Sequence, residues 1–100
     1  MIVKIHKTSD RRIILAVCDS NLIGKKFEEK GLQLDLCSDF YKGEEKTEQE
    51  ICDLFKQAYI VNLVGKESIS LALKEEIIEK ENIIKIKNVP HAEAVIIRGD

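Results

Sequence analysis

No stretch of this chain approaches the roughly 18 consecutive apolar residues needed to cross a bilayer, although 44% of its 100 residues are apolar. A charged leader followed by a long apolar run is also missing. Met1 leads straight into Ile-Val-Lys-Ile-His, which reads as a strand. These absences predict a cytoplasmic protein with no membrane partner. The chain has one proline and neither a linker nor a repeat, so a single α+β domain over residues 1–100 is expected. Cysteine is scarce and odd in number: Cys18, Cys37 and Cys52 show no Cys-x-x-Cys spacing. That argues against a disulfide framework and against the paired spacing of structural zinc sites. No metal and no cofactor is expected, and each thiol reads as a small buried hydrophobe. Only five residues are aromatic, and they are not interleaved with basic ones, as a base-stacking platform would require.

Charge of one sign is lacking overall but not locally. The net charge of −2 excludes bulk attraction to nucleic acid. Residues 1–26 hold six basic and two acidic side chains, whereas residues 27–57 hold four basic and nine acidic. Lys4, Lys7, Arg11, Arg12, Lys25 and Lys26 are therefore candidates for one positive, RNA-contacting face. A solvated strand edge is the plainer reading, because edge lysines also block aggregation.

What is present is clear patterning. Residues 2–7 alternate, Thr8-Ser9-Asp10 is turn chemistry, and Ile13 to Val17 form a second, doubly buried strand. Asp19-Ser20-Asn21 offer N-cap oxygens, Leu22, Ile23 and Phe27 recur at helical spacing, and Gly31 suits the C′ position; a helix is expected there. Leu32, Leu34 and Leu36 alternate as a strand. Thr47-Glu-Gln-Glu50 is a capping box opening a helix whose face carries Ile51, Leu54, Phe55 and Ala58. Tyr59–Val64 reads as a central strand, 68–79 as a third helix, and 83–86 and 92–98 as strands joined through Asn88-Val89-Pro90-His91. The expected order is β-β-α-β-α-β-α-β-β, a mixed sheet of about six strands with three helices. The strand order does not follow from these signals.

Several groups carry chemistry. Gly65-Lys66-Glu67-Ser68 opens a helix after a strand, as an anion site does, but it lacks the full phosphate-loop spacing. Asn62 is an amide within an apolar strand, and such a group needs partners. His91 follows Pro90 on a stiff turn, where an imidazole serves as acid, base or simple hydrogen-bond partner. Cys18 and Asp19 sit at a strand end, and Cys18 with His91 forms a conceivable thiol–imidazole pair. Phe40 and Tyr41 either plug the core or present a contact surface.

Four strings then occur in sequence: Ala16-Val-Cys-Asp19 with Leu22 and Gly24, Phe40-Tyr41-x-Gly-Glu44, Asn62-Leu-Val-Gly65 with Ser68, and Val89-Pro-His-Ala92. Together they resemble the archaeal family catalogued as domain of unknown function 424, over essentially the whole chain. The resemblance implies a cytoplasmic protein of about this length with no established activity or cofactor, loosely placed with the translation machinery. It marks Cys18, Asp19, Tyr41, Gly43, Glu44, Asn62, Gly65 and His91 as a shared site without assigning roles. Three readings follow. The first is a non-catalytic binding module for RNA or a protein of the translation apparatus. The second is a small enzyme or ligand binder with a polar cleft around Asp19, Glu44, Asn62 and His91. The third is a homodimer or interaction protein using the Phe40-Tyr41 loop.

Overall fold

Apolar alternation on both sides of a polar turn makes the first two segments pair. In a computed structural model that describes residues 1–97, β1 (Ile2–Lys7) and β2 (Ile13–Cys18) run antiparallel, from Ile2↔Cys18 to Lys7↔Ile13. Thr8 fastens the turn: its hydroxyl accepts the Arg12 N–H at 2.9 Å and donates to the Asp10 carboxylate.

Where Leu22, Ile23 and Phe27 predict a helix, the chain instead makes a hairpin. A single 3-10 turn at Ser20–Leu22 leads into β3 (Lys26–Glu29) and β4 (Leu32–Asp35), a separate two-stranded sheet. Lys30 and Gly31, at φ 49° and 83°, close it. Two consecutive positive φ angles define a two-residue hairpin turn, so Gly31 serves a turn and not a helix end. The predicted third strand is thus real but lies outside the main sheet. Its place there is taken by β5 (Glu44–Glu45), which pairs with Ile2 and Val3 after a 3-10 turn at Asp39–Tyr41.

The capping box behaves as predicted. Thr47 Oγ1 accepts the Glu50 N–H at 3.2 Å, and the Glu50 carboxylate accepts the Thr47 N–H at 3.0 Å, starting α1 (Glu48–Phe55). Ala58 belongs to the next strand, β6 (Ala58–Val64), which lies parallel to β2. The following helix, α2 (Lys66–Lys74), is shorter than 68–79. Glu76 adopts φ 59°, its N–H bonds the Leu73 carbonyl, and the Ile77 N–H bonds the Ala72 carbonyl at 2.8 Å. This pair of bonds is a Schellman stop, here made without glycine.

A 3-10 turn at Lys80–Asn82 precedes β7 (Ile83–Ile86) and β8 (Val89–Val95). Lys87 and Asn88, at φ 52° and 65°, form the two-residue turn between them, so Val89, Pro90 and His91 are strand residues rather than a link. Pro90 is tolerated because its missing donor has no use. The Gly65 N–H bonds the Pro90 carbonyl, while the Gly65 carbonyl is already taken by the Ile69 N–H of α2. The Arg98 end of the expected last strand lies outside the described residues.

The six-stranded sheet has the order β5-β1-β2-β6-β8-β7, with β2–β6 its parallel pair. One face buries Leu15, Val17, Val61, Leu63 and Ala92 against Ile51 and Phe55 of α1 and Ile69, Leu71 and Ala72 of α2. The other face buries Ala16, Cys18, Val64 and Ile86 against Leu34, Leu36 and Tyr41. The class is α+β with a mixed six-stranded sheet as expected, but the described residues hold two α-helices where three were predicted. Among them, no helix is long and apolar enough to cross a membrane.

Candidate functional site

The polar residues singled out by sequence fall into three places. The first is the end of the parallel pair. Asp19 leaves β2, its N–H donating to the Val64 carbonyl at 3.0 Å, and its carboxylate turns to α2. One oxygen accepts the Glu67 N–H at 3.0 Å; the other accepts both the N–H and the hydroxyl of Ser68 at 2.8 Å. Asp19 therefore caps a helix that begins some fifty residues later, not the one predicted at residue 22. Gly65, at φ 104°, makes room for it: a Cβ there would stand 2.2 Å from the Asp19 Cγ. An anion on the N-terminus of α2 would have to displace this buried carboxylate, so the anion-site reading of 65–68 meets an occupied position. Beside the clamp lies a cavity of about 190 Å³ bounded by Asn21, Lys66, Asn88 and Pro90.

Cys18 is buried completely, and its thiol faces the Asp19 carbonyl at 3.4 Å. Burial, aided by the Asp19 charge, pushes the thiol up to about 12. At neutral pH it is protonated and no nucleophile.

The second place is the hairpin-bearing face of the sheet. Strand register sets Lys4, Ala16, Asn62 and Glu93 in one cross-strand row, and Ile2, Cys18, Val64, His91 and Ile84 in the next. Asn62 and His91 are therefore diagonal neighbours, roughly 7–8 Å apart. The small Ala16 leaves space that Tyr41 fills from above. Burial, with Cys18 and then Glu93 beside it, raises the Tyr41 hydroxyl to about 12. His6 holds this segment down: its ring stacks on Phe40 with centroids 4.4 Å apart, and Nε2 lies 2.9 Å from the Phe40 carbonyl. Phe40 and Tyr41 are thus tied into the fold. His91 Nε2 is buried without a hydrogen-bond partner among the described residues. Burial lowers the His91 pKa against the opposing pull of Glu93. Glu93 escaped the sequence reading, though its place in the alternation of β8 was the available signal.

The sheet itself separates these two places. Asp19 bonds the helix layer, whereas Asn62 and His91 alternate with the helix-facing residues and point the other way.

The third place is the β1–β5 edge. Gly43 lies so close to β1 that a Cβ would meet the Val3 carbonyl oxygen at 1.9 Å. Glu44 pairs with Val3, and the carboxylate of Glu45 meets the Met1 amino group and the Ser20 hydroxyl. An open groove of about 400 Å³ runs along this edge, walled by Lys4, Ile5, Lys42, Glu44 and Lys46. Of the six predicted RNA-contact cations, Lys4 and Lys7 lie on β1, and Arg11 and Arg12 in the turn that follows it. Arg12 pairs with Asp10 and covers the Tyr59 ring at 4.4 Å. Lys25 and Lys26 sit beyond the opposite end of β2, at the base of the β3–β4 hairpin. The six do not share a face. Among the described residues, no group of three or more His, Cys, Asp or Glu could hold a metal ion.

Comparison with curated proteins gives no match. The crystal structure of an uncharacterized conserved protein from Methanopyrus kandleri has a TM-score of 0.80 to this chain, covering 99% of this chain and 93% of that one. Its identity of 23% makes this a likeness of fold. Residues 6–97 match the family model described as Protein of unknown function (DUF424). The chain belongs to that family.

Proposed function

We propose that this protein is a non-catalytic binding module whose contact surface is the β1 side of the sheet. One observation carries the reading. Among the described residues β1 is paired on its outer side only at Ile2 and Val3, and beside the unpaired part lies a groove lined by Lys4, Ile5, Lys42, Glu44 and Lys46. Lys4, Lys7 and Arg11 have no ion-pair partner among the described residues.

The remaining chemistry-bearing residues support the same view. Asp19 is spent on a helix cap and Cys18 is a buried, protonated thiol. A protein partner fits better than RNA because the aromatic rings are committed inside the fold. Phe55 and Tyr41 are buried, Phe40 stacks on His6, Phe27 packs under the hairpin and Tyr59 carries Arg12. Among the described residues, each of the five rings is thus buried or already packed against a neighbouring group, which leaves little for bases to stack on. A protein of the translation apparatus is the partner in keeping with the family resemblance.

The test is partner capture from native lysate at low and high salt, with and without ribonuclease. The expected partner is a protein that survives ribonuclease and is lost as salt rises. Loss of everything on ribonuclease treatment would transfer the reading to RNA, and no salt-sensitive partner at low salt would overturn it.

A further inference from the structure

We infer that the open edge of β1 takes an acidic, extended protein segment as an added strand, an inference that rests on the binding-module reading and names its partner. The argument begins with the hydrogen-bond alternation of an antiparallel ladder. The Thr8 N–H donates to the Arg12 carbonyl, so residues 8, 6, 4 and 2 direct their backbone groups at β2. Residues 3, 5 and 7 direct theirs outward. The other side agrees, since the Lys46 N–H meets the Met1 carbonyl and Glu44 stands opposite Val3.

Beyond Val3 the outward positions are open. β5 is only two residues long, because at Gly43 the chain leaves the plane of the sheet to lay Phe40 and Tyr41 over its face. The N–H and C=O groups of Ile5 and Lys7 have no strand partner among the described residues. Exposed edges of this kind bind extended peptides through the main chain, and flanking side chains set the choice. Here the groove opens onto the edge between β5 and β1 and reaches Ile5.

The flanks specify the occupant. Ile5 is 40% exposed and offers an apolar contact to the residue opposite it. Lys4 and Lys7 stand on either side along the strand with no ion-pair partner among the described residues, whereas Lys42 and Lys46 in the groove are already paired with Asp39 and Glu44. Acidic residues opposite Lys4 and Lys7, with an apolar one opposite Ile5, complement this pattern. A second copy of the chain pairing antiparallel about Ile5 would set the two Lys4 side chains diagonally across the seam with no acidic partner there, which disfavours self-association here. The far edge of the sheet, β7, differs in that the hairpin strands β3 and β4 pack against it.

The test uses a capped peptide carrying Glu-Thr-Ile-Glu between threonines, its counterpart with Lys in place of Glu, and a twelve-nucleotide oligouridylate. Amide hydrogen exchange of the full chain is the readout. Saturating acidic peptide is expected to slow exchange at Ile5 and Lys7 several-fold and to leave His6, already bonded to β2, unchanged. Ile5→Pro removes one outward donor without touching the β1–β2 ladder, and about tenfold weaker binding is expected. Should that variant not fold, Lys4→Gln with Lys7→Gln is expected to weaken the peptide and flatten its salt dependence. Equal binding of the lysine peptide, or oligouridylate binding in its place, overturns the inference. If no protection appears at Ile5 and Lys7 while salt-sensitive capture of a protein persists, strand addition falls and the binding-module reading stands. If both fail, both fall.

Discussion

The Asp19–Gly65 clamp gives the sharpest energetic prediction. Asp19→Ala would strip hydrogen-bond acceptors from two backbone N–H groups and the Ser68 hydroxyl, with Ser68 fully buried. Hydrogen bonds to a charged group contribute about 1.5–3 kcal/mol each, though not additively. Water entering from the adjacent strand-end cavity offsets part of the loss. The expected cost is about 3–4 kcal/mol, or a melting temperature lower by about 12–30 °C in a domain of this size. Gly65→Ala should cost at least as much, because its Cβ expels the carboxylate and a φ of 104° adds strain of about 1–3 kcal/mol. The two changes remove the same cap, so they should not add. Urea unfolding of the Asp19→Ala/Gly65→Ala double variant should show it about 3 kcal/mol more stable than the sum of the singles implies. Asp19→Asn retains the Cγ and should give Gly65→Ala no such relief. Additivity to within about 0.5 kcal/mol would refute the clamp.

Other expectations follow from the same geometry. Exposed Cys37 should react with a thiol reagent at pH 8 in the native protein, whereas Cys18 should react only on unfolding; equal labelling rates would contradict its burial. Cys18 and Tyr41 both titrate higher when folded, so the stability they contribute is complete below about pH 9 and is lost between there and about pH 12. A buffer series of unfolding midpoints measures that loss. His91 is shifted the other way: its contribution is complete above its ordinary value of 6.5 and falls as the pH drops below it, and His91→Gln should flatten that slope. Thr47→Ala should destabilise by about 1 kcal/mol, measured by urea unfolding, through loss of the capping box.

The sequence disclosed local signals better than tertiary ones. Thr47 and Glu50 announced α1 because a capping box is complete within four residues. Tyr59–Val64 announced a central strand because packing on both faces leaves an apolar run interrupted at Asn62 alone. The β3–β4 hairpin misled because Leu22, Ile23 and Phe27 fit a helical spacing by chance. Their real pattern is set by packing across the sheet, and by Lys30, a residue with no turn signature, adopting φ 49° before Gly31. Glu76 likewise ends α2 without the glycine that would have marked the stop. Of the residues set together by resemblance, Asp19 and Gly65 do meet, but as a structural clamp, and Tyr41, Asn62 and His91 gather on the opposite face. The β1 edge was legible as positive charge on a solvated strand edge. Its openness depends on where β5 stops, which no local pattern encodes.

The most direct trial of the account compares partner recovery by three forms of the full chain: wild type, Lys4→Gln/Lys7→Gln/Arg11→Gln, and His91→Gln. The binding-module reading predicts that the triple variant loses its protein partner while His91→Gln keeps it. Retention by the triple variant with loss on His91→Gln would contradict the reading and place the working surface on the Asn62–His91 face instead.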